Sequence, residues 1–476
     1  MQADSIILGA GLIGALLLFL LAWRRPTQAL AVWVISSVVL SEYILLPDAP
    51  TLHVHISRVL LTALLLGLAA GWVPQRKLPV ASARPEILIA VLTAWTIVSA
   101  CWAGTIFRED GTRNVSVFIT GFLVPALIFY LARSFPTSLA VSRTICILLT
   151  ALLGYMTFTA FCEHFHVNSL VFPQYILDPS VGIHPERARG PVVNAAEDGG
   201  IIAILLLAAL HAVHYINTGM LRASVIRWAT SFALLLFGVL ALWFTETRGP
   251  WLAFAGGLLV MLWHKQCRRV VLALGVAGLF GLVVLFAIAG ADLARMDLMP
   301  KARDNTSDTT EFRLDLYRES LDPFQQHPIV GWGLGTFTDT EHLFDAYGHS
   351  LTLSTAVLHD TIVAITLESG VIGGILYISF LITVSAALIR LRGASRIVEK
   401  QDFYTLCLAS LTAFVINGLF VDIRYFMPQN VLVFFMAGLG LSLSRTDRGQ
   451  LERYVAEPAL SDGIEPWLLR PCGNNR

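Results

Sequence analysis

Charged residues are scarce in this 476-residue chain: Asp, Glu, Lys and Arg together make up 14% of it, and the formal net charge is zero. Hydrophobic residues make up 56%, and the mean hydropathy is +0.69. Soluble domains carry about 25% charged residues, so this composition excludes a water-soluble globular protein. The chain is predicted to be embedded in a membrane.

The sequence also lacks strand pairs with period-two alternation, which argues against a membrane β-barrel. It contains instead about thirteen apolar stretches near the length of a membrane-spanning helix. They cover residues 5–23, 29–46, 57–73, 86–104, 114–132, 144–162, 199–216, 225–244, 250–264, 270–290, 361–389, 403–421 and 428–444. The predicted fold class is all-α: a polytopic transmembrane helical bundle of about 12 to 13 spans, with a long outer loop containing amphipathic helices.

Positive residues are missing from the N-terminal sequence MQADS and concentrate in alternate connections between the apolar stretches. Because loops rich in Lys and Arg stay in the cytoplasm, the pattern predicts an outside start and a cytoplasmic C-terminus. It also argues against a cleaved signal peptide, whose positive residues precede its apolar core. The long connections 163–198 and 291–360 and the short turns 245–250 and 422–429 are then all predicted on the outer side.

Motifs for common cofactors are absent. The six cysteines form no CxxC pair, and no DxD-like pair stands out among the outer acidic residues, although their number leaves a metal site open. Gly331, Gly333 and Gly335 follow no strand, so they predict a tight loop at the membrane surface rather than a nucleotide site. We therefore predict no cofactor and no nucleic-acid partner, and we assign no residue as a metal ligand.

Arginines in the outer connections form the first candidate site: Arg187, Arg189, Arg248, Arg313 and Arg424. A guanidinium group grips phosphate oxygens through two parallel hydrogen bonds, so converging arginines would fit a diphosphate carried by a membrane lipid. The alternative is that such side chains only reach lipid headgroups. Arg248 is the stronger candidate because it lies in a very short turn beside Gly249.

His359 and Asp360 precede the apolar stretch 361–389, with Asp360 or Thr361 as a candidate helix N-cap. An imidazole with a pKa of about 6.5 can take a proton from an acceptor hydroxyl. A histidine at a helix start is, however, more often a capping or satisfied polar residue.

Glu368 lies inside the same apolar stretch, where an unpaired carboxylate is costly, so it has either a functional role or a structural hydrogen bond. Gly370 predicts a hinge within the stretch. His327, which precedes Pro328, is most simply a turn residue. Asp308 and Glu311 form a capping box and predict an amphipathic helix in the connection 291–360.

In their order, these motifs resemble the O-antigen ligase and O-antigen polymerase superfamily. They are Arg187-Ala188-Arg189-Gly190-Pro191 with Asn194; Thr245-Glu246-Thr247-Arg248-Gly249; Arg313 with Tyr317; Phe324; His327-Pro328; Gly331, Gly333, Gly335 and Phe337; His359-Asp360; and Glu368, Gly370 and Gly373. The likeness suggests three parts: N-terminal transmembrane helices (1–184), a family-like core (185–445) and a cytoplasmic tail (446–476), which is predicted to be poorly ordered.

The resemblance implies a multi-pass glycosyltransferase of the bacterial inner membrane that transfers a glycan with inversion from undecaprenyl diphosphate, without a metal, on the periplasmic side. The acceptor would be lipid A core for a ligase or a second lipid-linked glycan for a polymerase, and relatives glycosylate protein. By this likeness Arg187, Arg248 and Arg313 match the diphosphate-binding arginines, and His359 matches the histidine proposed to activate the acceptor. A second tier of candidates consists of Arg189, Asp360, Glu368, His327 and Arg424.

Two positions depart from the family pattern: His359-Asp360 replaces the commoner His-Asn, and Asn194-Ala195-Ala196 replaces Asn-Pro-Asn. An acidic neighbour favours the charged form of a histidine, which bears on the role of His359 as a base. Two other classes stay open at this point. One is a transporter or flippase of lipid-linked glycans, and the other is a structural partner of an assembly complex in which His359 is dispensable.

Overall fold

The computed structural model describes residues 2–40, 55–72, 84–107, 111–218, 225–265, 267–273, 275–276, 320–321, 324–336 and 360–456. Within these ranges the chain is helical and forms no strand, which confirms the all-α prediction. The main helices are α1 (Gln2–Arg24), α2 (Pro26–Val39), α3 (Ile56–Trp72), α4 (Arg84–Trp102), α5 (Gly111–Phe118), α6 (Val124–Ser134), α7 (Leu139–His164), α8 (Ala195–Thr218), α9 (Val225–Phe244), α10 (Arg248–Met261), α11 (Thr361–Ala394), α12 (Val398–Gly418) and α13 (Met427–Ala456).

Five of the described helical segments are long and apolar enough to cross a membrane: Arg84–Trp102, Asn114–Ser134, Leu139–His164, Ala195–Val213 and Thr361–Ala394. Other apolar helices, such as Pro26–Val39 and Met427–Leu443, are shorter. Large apolar side chains on several helices point outward, among them Phe232, Leu259 and Ile382. An apolar exterior on apolar helices is typical of a membrane protein. The count of 12 to 13 spans stays a prediction.

The core of the bundle is built around α8, in which Ile201 to Leu210 are all buried. A helix that is apolar on every side is stable only when neighbours cover it completely. Helices α7, α9, α10, α12 and α13 all pack against it. The apolar sequence of α8 is therefore the reason for its central position.

Helix α11 is broken at Gly370, where φ is 68° and ψ is −178°. This confirms the predicted hinge. The break frees carbonyl groups that the helix itself cannot satisfy. Trp95 Nε1 donates to Ser369 O at 2.8 Å, and Ser99 Oγ donates to Glu368 O at 2.8 Å. Helix α4 thus supplies part of the missing hydrogen bonding.

The glycine-rich loop, residues 331–335, makes further hydrogen bonds to the carbonyl groups at the break in α11. Trp332 N donates to Leu367 O at 3.1 Å, and Gly333 N donates to Glu368 O at 2.8 Å. Gly331, Gly333 and Gly335 all have positive φ, as expected for a tight loop. The predicted tight loop is confirmed, and its position is against the break in α11.

Four connections meet at one end of the bundle. Ala188 N donates to Phe244 O at 3.1 Å, which joins the 165–194 connection to the end of α9. A Cβ on Gly249 would lie 2.9 Å from Phe420 Cβ, so the start of α10 touches the end of α12. Thr361 Oγ1 donates to Val421 O at 2.9 Å, which adds the start of α11. We call this end of the bundle the site end. It comprises the 165–194 connection, the turn between α9 and α10, the start of α11 and the residues between α12 and α13.

Several predicted features lie outside the described residues: most of the stretch 270–290, the amphipathic helix in the connection 291–360, and the last part of the C-terminal tail. The beginning of that tail differs from the prediction. Helix α13 continues to Ala456, beyond the predicted end of the apolar stretch at residue 444. Apolarity marks where lipid contact ends, and a helix can continue past that point.

Candidate active site

The predicted site residues fall into three groups. Arg187, Arg189, Arg248, Asp360 and Arg424 lie at the site end, in its connections or at the start of α10. Glu368 lies in α11 and His327 lies in a loop, whereas Arg313 and His359 lie outside the described residues.

Arg187 has a 20% exposed side chain and lies beside Glu186, with 3.8 Å between Arg187 Nε and Glu186 Oε1. That distance is too long for a direct hydrogen bond. Arg187 Nε makes no hydrogen bond within the described part of the chain. The Nε–H group is itself buried and has no hydrogen-bond partner there, whereas the side chain as a whole is partly exposed.

Arg189 has a different environment, with only 1% of the side chain exposed. Its Nη2 donates to Ile176 O at 2.7 Å and to Asp178 O at 2.6 Å, and its Nη1 donates to Val181 O at 2.6 Å. A guanidinium group that is occupied by three carbonyl groups stabilises its own loop. The guanidinium of Arg189 is thus turned towards its own loop, and its place in the second tier of candidates stays a prediction.

Arg248 is exposed and is the first residue of α10. The connection before it consists only of Thr245, Glu246 and Thr247, as the sequence predicted for a very short turn. Trp251 Nε1 donates to Leu242 O at 2.9 Å across this turn and holds α9 and α10 together. A cation at a helix N-terminus, where backbone N–H groups also point outward, forms a site suited to an anion.

Arg424 is only 3% exposed and lies between two carboxylates. Its Nε donates to Asp422 Oδ1 at 2.9 Å, its Nη2 donates to Asp422 Oδ2 at 2.5 Å, and its Nη1 donates to Glu368 Oε2. Burial lowers the pKa of Arg424, but the charges of Asp422 and Glu368 raise it, and the net pKa lies well above the ordinary value. The guanidinium stays charged and joins α11 to the turn between α12 and α13.

Asp360 is the N-cap of α11, one of the two residues predicted for that role. Its Oδ1 accepts hydrogen bonds from Ile362 N at 2.9 Å and Val363 N at 3.0 Å. Thr361 Oγ1 in turn accepts from Ile423 N at 3.0 Å. The start of α11 is therefore fixed both by its own cap and by the α12–α13 turn.

A small cavity lies beside Arg424, between Thr361 and Asn430. It has room for about one water molecule, so it does not receive a saccharide or a diphosphate. Among the described residues, no group of three His, Cys, Asp or Glu side chains is arranged to hold a metal ion.

Residues 232–378 match the family model described as O-antigen ligase. This match confirms the resemblance to the O-antigen ligase and polymerase superfamily that the motifs indicated. No curated protein matches the chain.

The matched region, residues 232–378, runs from α9 to the middle of α11 and lies inside the predicted core 185–445. It contains Arg248, Arg313 and His359, whereas Arg187 and Arg424 lie outside it. In the fold, the connection that carries Arg187 contacts the matched region through the hydrogen bond of Ala188 N to Phe244 O.

Two residues of the site end were missed in the sequence. Glu163, in the last turn of α7, accepts hydrogen bonds from Arg189 N at 3.3 Å and Gly190 N at 3.0 Å. Asp198, in the first turn of α8, is fully buried. An acidic residue at the edge of an apolar stretch is the one sequence signal that distinguishes each of them.

Asn194 also has a defined place. Its Oδ1 accepts hydrogen bonds from Ala196 N at 3.0 Å and Glu197 N at 3.4 Å, so Asn194 caps α8. The first asparagine of the usual Asn-Pro-Asn motif is thus retained here in a capping position, and the departure at Ala195 and Ala196 does not prevent α8 from starting.

Proposed function

We propose that this protein is a membrane glycosyltransferase that moves a glycan from undecaprenyl diphosphate to an acceptor hydroxyl, as an O-antigen ligase or a polysaccharide repeat-unit polymerase. The observation that carries the proposal is the O-antigen ligase match over residues 232–378. The meeting of the segments of Arg187 and Arg248 at the site end supports it.

In this proposal Arg187, Arg248 and Arg313 hold the diphosphate of the donor. Arg187 has a partly exposed side chain, and Arg248 is exposed at a helix N-terminus. As the bond from the anomeric carbon to the diphosphate breaks, the electron pair and the negative charge go to the leaving group. Positioned guanidinium groups stabilise that charge in the transition state and make a metal unnecessary.

His359 accepts the proton of the acceptor hydroxyl as its oxygen attacks the anomeric carbon from the face opposite the diphosphate. Attack from the opposite face inverts the anomeric configuration. The following residue, Asp360, is held at the start of α11 by its hydrogen bonds to Ile362 N and Val363 N. Asp360 is the described residue nearest to the proposed base in the sequence, and its backbone is fixed.

The second tier of candidates has mainly supporting roles. Glu368 and Arg424 form a buried ion pair that joins α11 to the turn between α12 and α13. His327 is exposed, and its ring lies edge-on to Trp332 with 4.2 Å between the centroids. We assign these residues to positioning rather than to contact with the reacting atoms.

The proposed location is the bacterial inner membrane, with the site end on the periplasmic side and the C-terminus in the cytoplasm. The proposed partners are the donor lipid, membrane lipids, and either lipid A core or a second lipid-linked glycan as acceptor. The apolar helices and the O-antigen ligase match support a membrane protein in general.

A transporter or flippase of lipid-linked glycans is the alternative. Such proteins use charged residues within their membrane spans to form a pathway. Glu368 lies within a span, but its carboxylate is occupied by Arg424. The enzyme is therefore the better-supported proposal.

Purified protein in proteoliposomes tests the proposed function. It is given an undecaprenyl diphosphate glycan together with lipid A core or a second repeat unit, offered separately. We expect transfer to one of the two acceptors, and we expect R248A and H359A each to abolish it while the protein stays in the membrane. R390A is the matched control, since Arg390 is exposed at the far end of α11. Full activity of R248A and H359A would reject the catalytic assignment.

A further inference from the structure

The backbone next to Arg187 is fixed by a side chain from the bundle. Glu163 uses both carboxylate oxygens for this contact: Oε1 accepts from Arg189 N at 3.3 Å, and Oε2 accepts from Gly190 N at 3.0 Å. These two N–H groups follow Arg187 at a distance of two and three residues along the chain. A contact from α7 therefore sets where the chain leaves Arg187.

Asp198 also lies against this segment, at Gly190. Gly190 has a φ of 54°, and a Cβ at that position would lie 1.9 Å from Asp198 Oδ1. Asp198 is fully buried, and neither of its carboxylate oxygens has a hydrogen-bond partner among the described residues. Gly190 is thus enclosed by two carboxyl groups, one from the end of α7 and one from the start of α8.

Other contacts fix the rest of this connection. Ala188 N donates to Phe244 O at 3.1 Å, and Tyr175 Oη donates to Pro191 O at 2.7 Å. The guanidinium of Arg189 holds the carbonyl groups of residues 176, 178 and 181. Only Arg187, of the two arginines in this connection, keeps a partly exposed side chain. A loop that is fastened so closely around one cation is suited to place that cation accurately.

We infer that Glu163 is a positioning residue: its carboxylate fixes Arg189 and Gly190 so that Arg187 is presented to the diphosphate of the donor. Asp198 lies so close to Gly190 that no side chain fits at this position. The inference rests on the proposed function for the identity of the donor. The contacts themselves are independent of it.

The choice of a carboxylate gives a graded set of variants. E163Q keeps the shape but offers one acceptor oxygen, so one of the two N–H groups loses its partner. E163A removes both acceptors. Buried N–H groups without a partner are costly, and the segment is expected to move to recover hydrogen bonds elsewhere. We therefore expect the effect of E163A to exceed that of E163Q.

A double-mutant cycle with R187A separates positioning from a general structural role. We expect E163A to lower transfer by about tenfold or more, since small misplacements of a binding group cost up to about a hundredfold. If Glu163 acts through Arg187, then E163A in the R187A background will cause little further loss. Losses that multiply in the double variant would overturn the inference, as would full activity of E163A.

Trypsin cleavage after Arg187 provides a readout that needs no glycan donor. In proteoliposomes we expect E163A to be cut at this position several times faster than the wild type, because the segment is released from α7. Equal cleavage rates would reject the positioning role whether or not the protein transfers glycans. Absence of transfer in the wild type, with faster cleavage of E163A, would reject the proposed function alone.

D178N is the matched control for both experiments. Asp178 lies in the same connection, but its carboxylate accepts hydrogen bonds only locally, from Ser180 N at 2.9 Å and Ser180 Oγ at 2.6 Å. An amide oxygen can keep these contacts, and the carbonyl group that receives Arg189 is unchanged. We expect transfer and trypsin cleavage after Arg187 to remain at the wild-type level.

Discussion

The carboxylate of Asp360 accepts the N–H groups of Ile362 and Val363, so it satisfies two of the donors that a helix start leaves open. Asparagine is as good an N-cap as aspartate because its side-chain oxygen accepts the same hydrogen bonds. The departure from His-Asn to His359-Asp360 is therefore conservative with respect to the start of α11. The two caps differ in the negative charge of aspartate and in the NH2 group that asparagine has in place of the second oxygen.

We predict that D360N will keep both stability and glycan transfer, whereas D360A will lose the cap. Loss of an N-cap costs about 0.5–2 kcal/mol, and a frayed start of α11 would also move the adjoining His359. The melting temperature in detergent and the rate of transfer check the two effects. If D360N were as inactive as D360A, the charge beside His359, and not the cap, would be the important property.

The environments of single residues show which properties could not be predicted from the sequence alone. Arg187 and Arg189 looked equivalent as outer arginines, but one is partly exposed and the other is buried among carbonyl groups. The partner of Glu368, which is Arg424, is 56 residues away in the chain. Composition and spacing identify such residues as unusual, whereas their partners depend on how distant segments pack.

At the scale of single elements, the helices and the hinge followed from the sequence because each is set by local properties. Apolar stretches predicted α4, α7 and α8, and Gly370 predicted the break in α11. The docking of the glycine-rich loop against that break could not be predicted. It requires Gly331 to approach Glu368 O so closely that a Cβ would lie at 2.4 Å.

We predict that G370A will be strongly destabilising. A φ of 68° with a ψ of −178° is a backbone conformation that essentially only glycine adopts, and it costs alanine about 1–3 kcal/mol. The new Cβ would also lie 1.9 Å from Ile329 O, which is backbone and cannot rotate away. G393A is the control in the same helix, because no atom lies within 4 Å of a Cβ there. Thermal unfolding in detergent should show a clear loss for G370A and none for G393A; equal melting temperatures would show that the break adapts without cost.

At the scale of the whole molecule, three helices connect the site end to the opposite end of the bundle. Helices α8, α10 and α12 each begin or end at the site end, and each is also joined to the others far from it. His211 in α8 is 16 residues from Ala195, or roughly 24 Å along a helix at ~1.5 Å per residue. A cluster of buried polar side chains lies at that level.

In this cluster His211 Nδ1 lies 2.7 Å from His264 Nε2, and His264 Nδ1 lies 3.4 Å from Asp402 Oδ2. Asp402 Oδ1 accepts from Lys265 N at 2.7 Å, and Cys267 Sγ donates to Leu210 O at 3.0 Å. These contacts join α8, the end of α10 and the start of α12. The three helices are therefore held together at this end by contacts that do not involve Arg248 or Arg424.

We predict that H264A will lower stability without changing the chemistry. Removing the imidazole takes away its buried hydrogen bonds with His211 Nδ1 and with Cys267 N, and each lost hydrogen bond costs about 0.5–1.5 kcal/mol. Because the cluster is roughly 24 Å from the site end, transfer per folded molecule should stay near the wild-type value. R248A should show the reverse, with an unchanged melting temperature and no transfer. K265A is the matched control, since it keeps the backbone N–H that Asp402 accepts. An H264A variant with normal stability, or one that is fully folded but inactive, would contradict the separation of the two ends.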